Sequence, residues 1–151
     1  MPRFETRLTV PQTREKVFEV LLRSEHLRQL IPPDSGMQVV AMPEILQCGS
    51  RLEFQARAFG QSLKIVHQIT ELVAPLRIVE EQLQGLFKRW VHQHLLEEGP
   101  AGHVVSIDRI DFEPPGGLIG FLVTKRKIID QLEGIFEHRH RQMRKLLGSP
   151  T

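Results

Sequence analysis

The sequence contains no tyrosine, and it has a single tryptophan, Trp90, and a single cysteine, Cys48. A lone cysteine cannot form an internal disulfide, which argues against the disulfide-stabilised class of small secreted domains. No apolar run approaches the ~20 residues that a membrane-spanning helix needs, and no secretory signal precedes the first charged residues. We therefore expect a cytoplasmic protein without an integral membrane segment. Because tyrosine is missing, polar-tipped aromatic contacts depend on Trp90 and on the seven histidines.

Net charge is also small, at +2, and this balance predicts no nucleic-acid partner. The basic excess is concentrated near the C-terminus, in Lys125, Arg126, Lys127, Arg139, Arg141, Arg144 and Lys145. The favoured interpretation is a solvated helix face whose cations oppose the helix macrodipole. The alternative is a surface that binds phosphate or anionic lipid and makes the protein a partner-recruiting or membrane-surface module.

The sequence shows no internal repeat, linker or low-complexity tract, and its length suits one domain over residues 1–151. Alternation over residues 4–10 predicts a first strand, and Thr13 is a suitable N-cap for a helix that follows. Ser24 is a suitable cap for a second short helix, which Pro32-Pro33 must end. From about residue 51 the period becomes two, and short turns separate five further strands near 51–58, 63–69, 77–83, 86–97 and 103–112. Consecutive hairpins of this kind predict an antiparallel meander.

A proline-free segment over residues 119–147 predicts one long C-terminal helix. Its apolar residues follow steps of three, four and seven, namely Leu122, Ile129, Leu132, Phe136, Met143 and Leu147. Such a helix needs a long concave partner. The sequence therefore predicts an α+β helix-grip fold, in which a curved antiparallel sheet wraps the C-terminal helix and two short helices follow strand 1.

Several segments resemble one superfamily. They are residues 17–27, 30–33, 85–94, 108–120 and 135–139, which include Trp90, two alternate histidines and Asp108. The chain resembles the START-like, Bet v 1-like helix-grip proteins and, within them, the polyketide cyclase/dehydrase-type ligand-binding proteins known as SRPBCC proteins. His138 stands where that branch is expected to have tyrosine. The resemblance implies binding of a small apolar molecule without a cofactor, although some related proteins cyclise or dehydrate polyketides.

Trp90, His92 and His94 lie on one face of a predicted strand because side chains alternate along it. A hairpin closed near Gly99-Pro100 would place His92 opposite Asp108 and His94 opposite Ser106. The favoured interpretation of the His92–Asp108 pair is a structural cross-strand contact. Ligand orientation is an alternative, and so is catalysis, with His92 as general base and Asp108 as its orienting partner.

No metal site is predicted, because His-x-His needs a third ligand and only His67 or Asp108 offers one. Cys48 has no activating neighbour and is not expected to be a nucleophile. The glycines at 116, 117 and 120 predict a flexible lip over the mouth of a pocket.

The pattern predicts that the pocket lies between the sheet and the long helix. The residues expected to line it are Phe54, Ala56, Ile65, His67, Trp90, His92, His94, Ile110, Phe112, Leu122, Ile129, Leu132 and Phe136. The main hypothesis is a protein that binds a lipid-, quinone- or polyketide-like molecule there, with orientation from the histidines. A cyclase or dehydratase using the His92–Asp108 pair is the second hypothesis.

Overall fold

The computed structural model describes residues 1–58 and 60–150. Within these ranges the chain forms seven strands and four α-helices. The strands are β1 (Arg3–Val10), β2 (Met37–Ala41), β3 (Arg51–Ala58), β4 (Gln61–Val73), β5 (Arg77–Gln84), β6 (Arg89–Glu98) and β7 (Val104–Glu113). The helices are α1 (Arg14–Leu22), α2 (Ser24–Leu30), α3 (Gly117–Leu122) and α4 (Lys125–Leu147).

All seven strands join one antiparallel sheet in the order β1-β7-β6-β5-β4-β3-β2. The sheet curves around α4, and the two short helices follow β1. The predicted α+β helix-grip fold is thereby confirmed. The sequence pattern missed β2, a short edge strand that pairs with β3 and carries a bulge between Val39 and Ala41. Edge strands have one unpaired side, so alternation within them is weakly enforced.

The β6–β7 hairpin differs from the predicted register by two residues. His92 pairs with Ile110, and His94 pairs with Asp108. The reason is the turn: a 3-10 segment at Pro100–Gly102 closes the hairpin, with Gly99 N–H donating to the carbonyl of His103. An even shift leaves each side chain on its predicted face, because the side-chain period of a strand is two.

Helix α1 starts as predicted, since the Thr13 hydroxyl accepts a hydrogen bond from Lys16 N–H at 3.2 Å. Helix α2 does not, because Ser24 is its first residue and Arg23 occupies the N-cap without a side-chain bond.

The predicted uninterrupted helix over 119–147 is wrong. Two helices occupy this region, and the chain leaves helical geometry at Val123 and Thr124. The Thr124 hydroxyl caps α4 by accepting from Lys127 N–H at 3.3 Å. Gly120 allows α3 to approach the preceding segment closely, because a Cβ at this position would lie 2.5 Å from the Pro115 carbonyl oxygen. The predicted lip of glycines is therefore the start of a helix.

The core forms two clusters on the concave side of the sheet. One surrounds α1, α2 and the C-terminal turns of α4, where Met143 and Leu147 are buried. The other joins Phe4 and Phe112 to Ile128, Leu132 and Phe136 of α4, among others. The predicted apolar stripe therefore packs on the sheet from Ile128 onward.

Among the described residues, no helix has the length and apolar character needed to cross a membrane.

Candidate functional site: a cavity with one polar wall

A cavity of about 510 Å³ lies between the concave face of the sheet and α4. Strands β2 to β7 supply one side, α4 supplies the other, and α1, α2 and the segment after them close one end. Most of the lining is aliphatic or aromatic. The polar lining groups include His67, Glu80, His92, His94 and Arg139. We call these five residues together with Asp108 the polar wall.

The structure brings most of the predicted lining residues together. Those that line the cavity are Phe54, Ala56, Ile65, His67, Trp90, His92, His94, Ile110, Leu132 and Phe136. Their role as ligand contacts remains a prediction.

Three predicted residues do not line the cavity. Leu122 is 56% exposed, because it lies in α3 before the chain breaks and turns into α4. Ile129 is half-buried, but Ile128 and Leu132 occupy the face of α4 that meets the cavity. Phe112 is fully buried behind Phe87 and Trp90, whose rings lie 6.0 and 6.2 Å from its own.

The polar wall is built from four strands and α4. His92 Nε2 donates to Asp108 Oδ1 at 2.8 Å. On the neighbouring strands, His67 Nδ1 donates to Glu80 Oε1 at 3.0 Å, and the same oxygen lies 3.8 Å from His92 Nδ1. Both nitrogens of His92 therefore face a carboxylate.

Arg139 reaches the wall from α4. Its Nη2 donates to His94 Nδ1 at 3.1 Å and lies 3.6 Å from Asp108 Oδ1. His94 Nδ1 also lies 3.0 Å from Asp108 Oδ1, but we assign it as the acceptor of the Arg139 bond. This assignment gives Asp108 its cationic partner and leaves the proton of neutral His94 on Nε2. The rings of His92 and His94 stack at 3.9 Å.

Burial disfavours the charged form of every group in the polar wall. For three of these groups, neighbouring side chains outweigh the effect of burial on the pKa. Burial alone would raise the pKa of Asp108, yet the positive charge of Arg139 and the hydrogen bond from His92 hold it well below its ordinary value. Glu80 behaves in the same way, because contacts with His67 and His92 lower its pKa. For His92, the two carboxylates outweigh burial and raise the pKa.

His94 is the exception. Burial and the neighbouring positive charge of His92 lower its pKa to about 4. His94 is therefore neutral among the charged groups of the polar wall at neutral pH.

Glu80, His92 and His94 could offer a metal ion three ligand atoms, all within 4.8 Å of one another. Arg139 Nη2 lies 3.1 Å from His94 Nδ1, so a divalent cation at this set would lie beside a second buried positive charge. Neither His67 nor Asp108, the third ligands considered from sequence, belongs to this set. The expectation of no metal remains a prediction.

Sequence reasoning missed Glu80 and Arg139. Glu80 lies between Ile78 and Gln82, which also line the cavity, so alternation along β5 carried the signal. Arg139 was assigned to a solvated basic face, but it is 9% exposed. It follows Phe136 by three residues and precedes Met143 by four, so it lies on the buried stripe.

Neither a protein-family model nor a curated protein sequence matches the chain. Solved structures do match it. TTHA0849 from Thermus thermophilus superposes with a TM-score of 0.71 at 15% identity, over 96% of this chain and 99% of that one. CV1439 from Chromobacterium violaceum gives a TM-score of 0.69 at 18% identity, over 98% of both chains. A major latex-like protein, number 151 of Panax ginseng, gives 0.62 at 14% identity, over 93% of this chain and 95% of that one.

The chain has the Bet v 1-like helix-grip fold. The resemblance predicted from sequence is therefore confirmed for the fold. At these identities the likeness extends to the fold alone, since one fold can serve many functions. The function of this chain has to be argued from its own cavity.

Proposed function

We propose that this protein binds one small, largely apolar molecule that carries a hydrogen-bond-accepting oxygen, in the cavity between the sheet and α4. Lipid-, quinone- and polyketide-like molecules have this chemistry. The observation that carries the proposal is a cavity of about 510 Å³ whose lining is mostly apolar and whose histidines lie together in the polar wall. Small-molecule sites have volumes of ~300–1,000 Å³ and pair apolar walls with a few polar groups.

Two unpaired donors argue for an acceptor on the ligand. Trp90 and Arg139 both line the cavity, and among the described residues neither Trp90 Nε1 nor Arg139 Nε has a hydrogen-bond partner. A buried donor without a partner is costly. Neither nitrogen is open to the cavity surface, so a carbonyl or hydroxyl oxygen from a ligand would satisfy it after a small rotation of the Trp90 or Arg139 side chain. A pure hydrocarbon would leave both donors unpaired.

The same geometry favours binding over catalysis. A general base needs a free nitrogen lone pair within reach of the substrate. Both nitrogens of His92 face carboxylates, and the raised pKa of His92 favours the protonated form. His94 Nε2 has no hydrogen bond within the described part of the chain, but a pKa of about 4 makes His94 a weak base.

A cyclase or dehydratase remains the second candidate, because His92 and Asp108 form a buried His–carboxylate pair at the cavity. As a protonated group, His92 would then donate a proton to a carbonyl oxygen and would not remove one.

The test uses two ligands that differ in one group, acetylnaphthalene and ethylnaphthalene. Titration is followed by calorimetry, because naphthalenes absorb and emit in the same ultraviolet range as Trp90. We expect the ketone to bind about tenfold more tightly, since one added hydrogen bond to a buried donor is worth ~1.4 kcal/mol.

A matched pair of variants locates the site. Ala56→Phe fills the cavity from β3, whereas Gln55→Phe adds the same ring to the exposed face of the same strand. We expect the first to abolish saturable binding and the second to retain it. Equal binding by both variants, or no saturable response to either ligand, would contradict the proposal.

The remaining parts of the proposal are a single domain over residues 1–151, a cytoplasmic location and no nucleic-acid partner. The exposed, unpaired thiol of Cys48 fits a reducing compartment.

A further inference from the structure

Helix α3 exposes its apolar side chains. Leu118 and Phe121 are 84% and 81% exposed, and Leu122 and Ile119 are 56% and 41% exposed. None of the residues Gly117–Leu122 is charged. Isolated exposed leucines are ordinary on a protein surface, but four large apolar residues in two helical turns form a contiguous patch. Such a patch usually meets a partner.

Cations border this patch. Lys125, Arg126 and Lys127 follow it directly, and all three are exposed. Between Glu113 and Asp130 the sequence contains no acidic residue. Lys88 lies beside the start of α3, since a Cβ on Gly116 would approach its Cε within 2.7 Å. The surroundings of the patch are therefore basic, with no carboxylate in the segment itself.

The patch also lies at the edge of the cavity. Val123, the residue that follows α3, lines the cavity, and so do Leu86 and Phe87 in the turn next to Lys88. The apolar patch and the cavity rim therefore form one continuous surface.

We propose that α3 docks on the surface of an anionic lipid membrane, with its four apolar side chains inserted and Lys125, Arg126 and Lys127 at the headgroups. Stable attachment to a membrane surface generally needs two signals, an apolar insertion and a basic patch, and both are present here. A second copy of the chain is a poorer occupant. Two turns of helix bury far less than the ~1,000 Å² that a stable dimer needs, and the cations would face each other across it.

If the ligand is lipid-like, docking would open the cavity rim directly to the bilayer, so that the ligand exchanges without crossing water. This step rests on the proposed function. The docking itself does not.

Co-sedimentation with vesicles tests the docking without any cavity ligand. The vesicles are phosphatidylcholine alone, or phosphatidylcholine with about a third phosphatidylglycerol. We expect binding to the anionic vesicles that weakens with salt. The Leu118→Ser/Phe121→Ser variant should bind about tenfold more weakly, and Lys125→Gln/Arg126→Gln should lose a similar factor.

Two controls keep the result specific. Val40→Ser removes an exposed apolar side chain on β2, 55% exposed, and should bind like the native protein. Arg141→Gln/Lys145→Gln removes two cations from the other end of α4 and should also leave binding unchanged.

Native binding by the α3 variant, or loss in the Arg141/Lys145 variant alone, would overturn the proposal in favour of the basic C-terminal face. Absence of vesicle binding together with a dimer that the α3 variant abolishes would show that a second copy covers the patch. Failure of the naphthalene titrations with intact vesicle binding would reject the ligand but not the docking.

Discussion

At Asp108, one carboxylate with 1% exposure faces three nitrogen-bearing side chains. His92 Nε2 lies at 2.8 Å, His94 Nδ1 at 3.0 Å and Arg139 Nη2 at 3.6 Å from the same oxygen. Removing one partner from a buried ion pair costs more than the pair itself contributes, because the remaining charge is left uncompensated. Asp108 is therefore expected to matter for stability first and for ligand binding second.

We expect Asp108→Asn to lower the free energy of unfolding by about 3 kcal/mol, since it leaves Arg139 and His92 buried with one counter-ion fewer. Denaturant melts measure the loss. Asp111→Asn is the matched control, because Asp111 pairs with Arg3, which is 52% exposed. That surface pair should contribute less than ~1 kcal/mol. If turnover of a polyketide-like substrate collapsed in Asp108→Asn while its stability held, the catalytic hypothesis would replace ours.

His94 predicts how stability depends on pH. Its pKa falls from 6.5 to about 4 on folding. Between these pH values, His94 is therefore protonated in the unfolded chain but not in the folded chain. Its contribution to stability is therefore present above pH 6.5 and decreases as the pH falls towards 4. His92 has the opposite sign: its raised pKa gives stability below pH 6.5 that is lost as the pH rises through the folded value.

Glu80 and Asp108, whose pKa values are lowered, add their own loss of stability only at more acidic pH. In the window between pH 6.5 and about 5 the fall in stability comes from His94 and from His140, whose pKa burial also lowers. We expect His94→Asn, which keeps an acceptor for Arg139, to reduce the fall in stability there. Unfolding at a series of pH values measures this slope, and parallel slopes for the native protein and the variant would refute the assignment.

At the scale of elements, α4 has two different functions along its length. Its C-terminal half packs into core, where Met143 is 0% exposed. Its middle forms one side of the cavity, where Leu132 is buried but meets empty space. Shortening the Met143 side chain creates a new void in the core, whereas shortening the Leu132 side chain enlarges the existing cavity.

Replacing large core side chains by alanine costs ~2–5 kcal/mol, and the cost grows with the cavity that is left. We expect Met143→Ala to fall at the upper end of this range and Leu132→Ala near about 2 kcal/mol. Chemical denaturation of the two variants provides the comparison. A larger loss at Leu132 would mean that no space lies beside it.

At the scale of the whole molecule, the curvature of the sheet separates a buried polar site from an exposed apolar surface. The polar wall lies inside, where α4 meets β4 to β7, and the apolar patch of α3 lies outside at the rim. A sheet wrapped on one helix leaves a volume between them that side chains need not fill. Because the patch and the cavity rim are continuous, a ligand and a membrane would approach the same edge.

The sequence by itself determined most of the elements, but not β2 or the break before α4, and it determined which way most side chains face. Strand alternation placed Phe54, His67 and Trp90 on the concave face, and three-four spacing placed Leu132 and Phe136 on the buried stripe of α4. These features are local, because the backbone geometry of a strand or helix fixes the period of its side chains.

Only the tertiary structure decided which residues meet. The 3-10 turn at Pro100–Gly102 set His94, and not His92, opposite Asp108. The break at Thr124 turned Leu122 out of the cavity. Arg139 is buried because Asp108 and His94, on strands distant in the sequence, lie within reach of its guanidinium group. A charge can be buried only where distant partners compensate it, and the sequence near that charge does not contain them.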